Sequence, residues 1–82
     1  MDADKKQKII DDLALALMYL TGWEEKDITG ESYIRAWKGY DFDALDRLKE
    51  LGLIDFTHTA KSLNLTGEGE KRAEVLVQGL VR

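Results

Sequence analysis

The chain has no cysteine and no proline, and histidine occurs once, at His58. Without thiols it can form no disulfide, no thiolate nucleophile and no cysteine-ligated zinc site, so 82 residues must reach stability through packing or self-association. Without proline it has no stiff linker. A single imidazole leaves little for proton transfer near neutral pH. Positive charge is also scarce: 12 basic against 16 acidic residues give a net charge of -4 at pH 7, which opposes long-range attraction to phosphate backbones. No charge-free window approaches the length a bilayer demands, and Asp2, Asp4, Lys5, Lys6 and Lys8 precede the first apolar run. The expectation is a cytoplasmic chain, neither exported nor inserted in a membrane.

What is present is a 44% apolar composition, enough for one thin core, and a length that fits a single domain over residues 1–82. Asp4 to Gln7 reads as a capping box that opens a helix over about residues 5–20, with Ile9, Leu13, Leu17 and Leu20 as its core stripe and Gly22 as a left-handed stop. Leu15, Met18 and Tyr19 fall outside that stripe, an apolar surplus that points to a partner surface. Trp23 to Ile28 reads as a charged connector. Thr29 then caps a short helix containing Ser32 to Lys38, with Tyr33, Ile34 and Trp37 as its buried candidates and Gly39 as its stop. Asp41 caps a third helix in which Phe42, Leu45, Leu48 and Leu51 recur, closed by Gly52 and Leu53.

Beyond Leu53 the period changes to two. Ile54 and Phe56, then Leu63 and Leu65, predict two strands joined by the polar segment Thr57 to Ser62, which projects as a wing carrying His58 and Lys61. Thr66 caps a last helix that uses Ala73, Leu76, Val77 and Leu80. The expected fold is mainly α with a two-stranded antiparallel hairpin, in the order α-α-α-β-β-α of a winged helix-turn-helix.

Two resemblances bear on this reading. The run from Leu45 to Ile54, then Leu65-Thr66, Gly69 and Ala73, resembles the Leu-Gly-Leu-Ile, Leu-Thr, Gly, Ala pattern of bacterial MarR-like and PadR-like winged-helix regulators, which implies a recognition helix, a wing and a following helix over these segments. The stretch Arg35-Ala36-Trp37-Lys38-Gly39-Tyr40-Asp41-Phe42-Asp43-Ala44-Leu45-Asp46-Arg47-Leu48, with Asp12 to Thr21 and Ala60 to Gly69, resembles an uncharacterised bacterial family known only as a domain of unknown function. That second resemblance implies no activity.

The catalytic inventory is poor. His58 lies in the expected wing, no serine has a nucleophile-elbow context, and Gly67-Glu68-Gly69 carries an acid where a phosphate cradle would need none. Asp11-Asp12 and Glu24-Glu25 are adjacent pairs that read as solvated faces, and no metal or cofactor is implied. No small-molecule ligand is indicated, and an enzyme is not expected. As a DNA reader the third helix would present Asp43, Asp46, Arg47 and Glu50 to the duplex, mostly acids facing a polyanion. DNA is therefore the second reading. The first is a protein-interaction module whose surface is the corner formed by Arg35, Trp37, Lys38, Tyr40, Asp43, Asp46 and Arg47, a mixture of aromatic and charged groups of the kind that anchors interfaces. A homodimer through the first and last helices would use the apolar surplus of the first.

Overall fold

Asp2, two residues ahead of the expected cap, opens the first helix: its carboxylate accepts from the Lys5 N–H at 2.8 Å, and α1 runs over Ala3–Thr21. The computed structural model of the protein describes residues 1–81. After α1 come β1 (Trp23–Lys26), β2 (Ser32–Trp37), α2 (Phe42–Glu50), β3 (Ile54–Asp55), β4 (Ser62–Leu65) and α3 (Gly67–Leu80). The four strands form one antiparallel sheet in the order β1-β2-β4-β3.

This order overturns the winged helix-turn-helix. The segment expected to be a short helix is β2, the charged connector before it is β1, and the two pair with Trp23 opposite Arg35 and Glu25 opposite Tyr33. The described residues form three helices and a four-stranded sheet, in the order α-β-β-α-β-β-α. The physical reason lies in the period of the segment: Ile34 and Ala36 turn toward the core while Tyr33, Arg35 and Trp37 turn away, and aromatic and β-branched residues fit that pleat better than a helix. Thr29 caps nothing. Its N–H and hydroxyl donate to the Asp27 carboxylate, which also accepts from the Glu31 N–H at 3.1 Å, closing the turn between β1 and β2 and holding the Asp27 carboxyl below the usual range.

The hairpin expected over Ile54 to Leu65 is present, but it is no wing. Ile54 pairs with Leu65 and Asp55 with Asn64, while the other edge of β4 pairs with β2, so β4 is an interior strand. The third expected helix is α2, with Asp41 accepting from the Ala44 N–H at 3.1 Å. It closes with the Leu53 N–H on the Leu48 carbonyl and the Gly52 N–H on the Lys49 carbonyl, a double bond pattern that demands a left-handed residue, supplied by Gly52 at φ 74°. Thr66 caps α3 as expected, its hydroxyl accepting from the Gly69 N–H at 3.0 Å. Gly22, expected to be left-handed, is extended (φ -72°, ψ 176°).

Helices cover one face of the sheet. The core between the layers holds Leu15, Met18, Leu45, Leu48, Ile54, Leu63 and Leu65, all essentially inaccessible, each contributing about 1.5–3 kcal/mol of burial. Helix α1 enters this core by the side opposite to the expected one. Asp11, Ala14, Leu15, Ala16 and Met18 are buried, whereas Ile9, Leu13, Leu17 and Leu20 remain 44–58% exposed. Likewise Ala44, Leu45 and Leu48 of α2 are buried, while Phe42 and Leu51 are open to solvent.

Candidate functional site

The helix-free face of the sheet carries an aromatic and cationic cluster built by strand parity. Along β2 the outward residues are Tyr33, Arg35 and Trp37; β1 contributes Trp23 and Glu25, and β4 contributes Ser62 and Asn64, which pair with Trp37 and Arg35. Trp23 and Trp37 are diagonal neighbours across the ladder, with ring centroids 4.9 Å apart and planes tilted by 50°. Trp37 is 64% exposed, an unusual state for a large apolar ring held on a strand of an ordered sheet.

Polar contacts fix this cluster. The Trp23 indole N–H donates to Glu25 at 3.0 Å and the Tyr33 hydroxyl donates to the other carboxylate oxygen at 3.2 Å. The Arg35 guanidinium lies 3.7 Å from Glu25 and donates to the Ser62 hydroxyl at 2.5 Å. The Trp23 hydrogen bond first, then Tyr33 and Arg35, outweigh desolvation and hold the Glu25 carboxyl below its ordinary range. The result is a partly pre-set surface: two indoles in tilted contact, with the Trp23 indole, the Tyr33 phenol and the Arg35 guanidinium held by hydrogen bonds, so that less side-chain entropy remains to be lost on contact. Arg35 is partly neutralised by Glu25, so the face is amphipathic without being strongly cationic.

The corner expected from the sequence is not one surface. Of its seven residues, only Arg35 and Trp37 stand on the open sheet face. Lys38, at the end of β2, points its ammonium into the β3–β4 loop, donating to the Thr57 and Ala60 carbonyls at 2.8 and 3.0 Å and lying 4.5 Å from the Phe56 ring centre. Tyr40 is half-buried and packs against the core. Asp43 and Asp46 are exposed on α2, in the helical layer. Arg47, next to them in sequence, turns instead to α1 and grips Asp11 through two bonds of 2.7 and 2.8 Å. Asp11, expected on a solvated face, is thereby buried and paired, and its hydrogen bond raises the Arg47 guanidinium above its already high range.

His58 and Lys61 belong to the β3–β4 loop. His58 meets Phe56 edge-on at 6.2 Å, and Lys61 is exposed, its backbone carbonyl accepting from the Lys38 N–H. Phe56 is also approached by Lys49, whose ammonium is 4.6 Å from the ring centre and donates to the Phe56 carbonyl at 2.6 Å. An open groove of about 670 Å³ runs past Asp43, Asp46, Lys49, Phe56 and His58. Among the described residues, no three His, Asp or Glu side chains gather as a metal-holding group. Among the described residues, no helix is long and apolar enough to cross a membrane.

Sequence reasoning missed Trp23, Tyr33, Glu25 and Ser62 as partners of Arg35 and Trp37. The signal was the twofold alternation of Tyr33, Arg35 and Trp37 with Ile34 and Ala36, masked because only five residues carry it.

The profile of a family described as a domain of unknown function (DUF6429) matches residues 6–82. The chain belongs to this family. It is also similar to an uncharacterized protein, y4hR, of Sinorhizobium fredii (strain NBRC 101917 / NGR234), with 44% identity over 81 residues, covering 98% of this chain and 93% of the relative. No solved structure matches. DUF6429 membership agrees with the family resemblance carried by Arg35 to Leu48; the resemblance to MarR-like and PadR-like regulators fails, because the first helix of their helix-turn-helix is a strand here.

Proposed function

We propose that this DUF6429 domain is a cytoplasmic protein-recognition module that acts by binding without chemistry, through the helix-free sheet face centred on Trp37. The single observation that carries this reading is an exposed tryptophan, in tilted contact with a second one and flanked by an arginine held by Ser62 and Glu25. Tryptophan, tyrosine and arginine dominate the energetic centres of protein interfaces: the two aromatics bury much area while losing few rotamers, and arginine adds a planar set of donors. Protein is favoured over DNA as the partner because α2 presents Asp43, Asp46 and Glu50 to solvent, and these acids repel a duplex.

The test is quantitative affinity purification from host cells with the wild-type chain, Trp37→Ala and Arg35→Ala, followed by reconstitution of any partner from pure components. The expected outcome is a partner whose dissociation constant weakens about tenfold or more with Trp37→Ala, the size of a central interface residue. Tryptophan fluorescence is then read against single-stranded and duplex oligonucleotides at low salt, with no change expected. A saturable oligonucleotide signal lost in Trp37→Ala, or partners that all ignore that substitution, would sink the proposal.

A further inference from the structure

The most apolar stripe of α1 faces away from the molecule's own core. Ile9, Leu13, Leu17 and Leu20 line up along the helix, and α3 continues the patch with Leu76 and Leu80, which share a shallow groove of about 140 Å³ with Ile9 and Leu13. The two helices run oppositely, since Glu74 accepts from the Tyr19 hydroxyl near one end of α1 while Leu80 lies by Ile9 near the other. At 1.5 Å per residue and about 10 Å between axes, the pair offers a face on the order of 500 Å² in plan, the upper range of what monomers leave open. It lies in the opposite layer from the aromatic sheet face and does not depend on that site's role.

The rim of this face has charges of opposite sign at its two ends. Lys6 stands in line with Leu13 and Leu17, one turn before Ile9, and Lys5 is beside it. At the far end, past Leu20, Glu24, Glu70 and Glu74 crowd around Tyr19, and burial with the charges of Glu74 and Glu24 pushes the Glu70 carboxyl up. Among the described residues, Lys5, Lys6, Glu24, Glu70 and Glu74 make no ion pair. We infer that this face docks a second copy of the same chain, with the two α1 helices antiparallel about a twofold axis near Leu13 and Leu17. A twofold axis lays each end of a patch against the opposite end of its copy, so ends of opposite charge, as here, attract and fix the register. With Leu13 of one copy against Leu17 of the other, Lys6 reaches the end of α1 where Glu24 stands. The same crossing occurs twice.

Sedimentation velocity of the purified chain from about 1 to 500 μM tests the proposal. The expected result is a reversible monomer–dimer equilibrium. Leu13→Asp, a change at a solvent-facing position that should leave the circular dichroism spectrum intact, is expected to abolish the dimer. Lys6→Glu and Glu24→Lys are each expected to weaken it roughly three- to tenfold, the scale of two rim ion pairs, and the double exchange Lys6→Glu/Glu24→Lys to restore it to within about twofold of wild type. A monomer at 500 μM overturns the proposal. So does a dimer indifferent to Leu13→Asp, and failure of the charge exchange to restore association overturns the antiparallel register.

Discussion

At the scale of single residues, the contact that most shapes the helical layer is the Asp11–Arg47 pair, which joins α1 to α2 across 36 positions of sequence. Its carboxylate is 10% exposed and its guanidinium 30%, so removing one partner leaves a charge largely cut off from water. Arg47→Met is expected to cost about 2 kcal/mol by urea denaturation, reduced from the fully buried case because the arginine retains solvent contact. The double change Asp11→Leu/Arg47→Met is expected to cost less than Arg47→Met alone, since no orphan charge remains. None of this was legible beforehand. Asp11 next to Asp12 has the composition of a wet surface, and nothing local announces a partner so far along the chain. The same blindness placed Arg47 and Lys38 on a common binding corner, when each is engaged in holding its own element in place.

At the scale of elements, the ends of α2 and the start of α3 were legible, whereas faces were not. Asp41, Thr66 and Gly52 mark boundaries through bonds spanning three to five residues, so α2 begins and ends, and α3 begins, close to where these residues predict. The buried side of α1 depends on what it packs against. Leu13 and Leu17 have the larger hydrophobicity, but Ala14 and Ala16 let the helix approach its neighbours closely, and proximity decided the orientation. Strand β2 was misread for a related reason: its six residues, flanked by Thr29 and Gly39, satisfy a helical template as well as a pleated one, and only the pairing with β1 and β4 settles the matter. Close packing also sets the tolerance of α3. A methyl group added at Gly69 would overlap the Leu53 carbonyl, a backbone atom that cannot swing aside, whereas one added at Gly79 would meet nothing within 4 Å. Gly69→Ala is therefore expected to destabilise by about 1–3 kcal/mol and Gly79→Ala to stabilise by about 0.5 kcal/mol, both read from thermal or urea midpoints.

At the scale of the whole molecule, the two-layer arrangement separates the aromatic sheet face from the apolar helical face. A pair of copies joined through their helices would therefore leave two sheet faces free, pointing outward, for repeated or multivalent targets. The layers themselves depend on one junction. Strands β2 and β4 form the centre of the sheet, with Ala36 opposite Leu63, yet they come from different halves of the chain. A peptide ending at Leu51 would retain α1, the first hairpin and α2 but expose the inner edge of β2 and lose Ile54, Leu63 and Leu65 from the core. It is expected to show no cooperative unfolding transition by circular dichroism; a sharp one would mean that the first half stands alone.

That central junction bears on how the protein is made. On the ribosome, the hairpin of β1 and β2 emerges from the exit tunnel before its neighbour β4 does, and for that interval β2 offers bare amides and carbonyls to any nascent strand nearby. The charged run Glu24-Glu25-Lys26 guards only the outer edge of the hairpin, so the inner edge is where a chaperone, or a wrong neighbour, would first take hold.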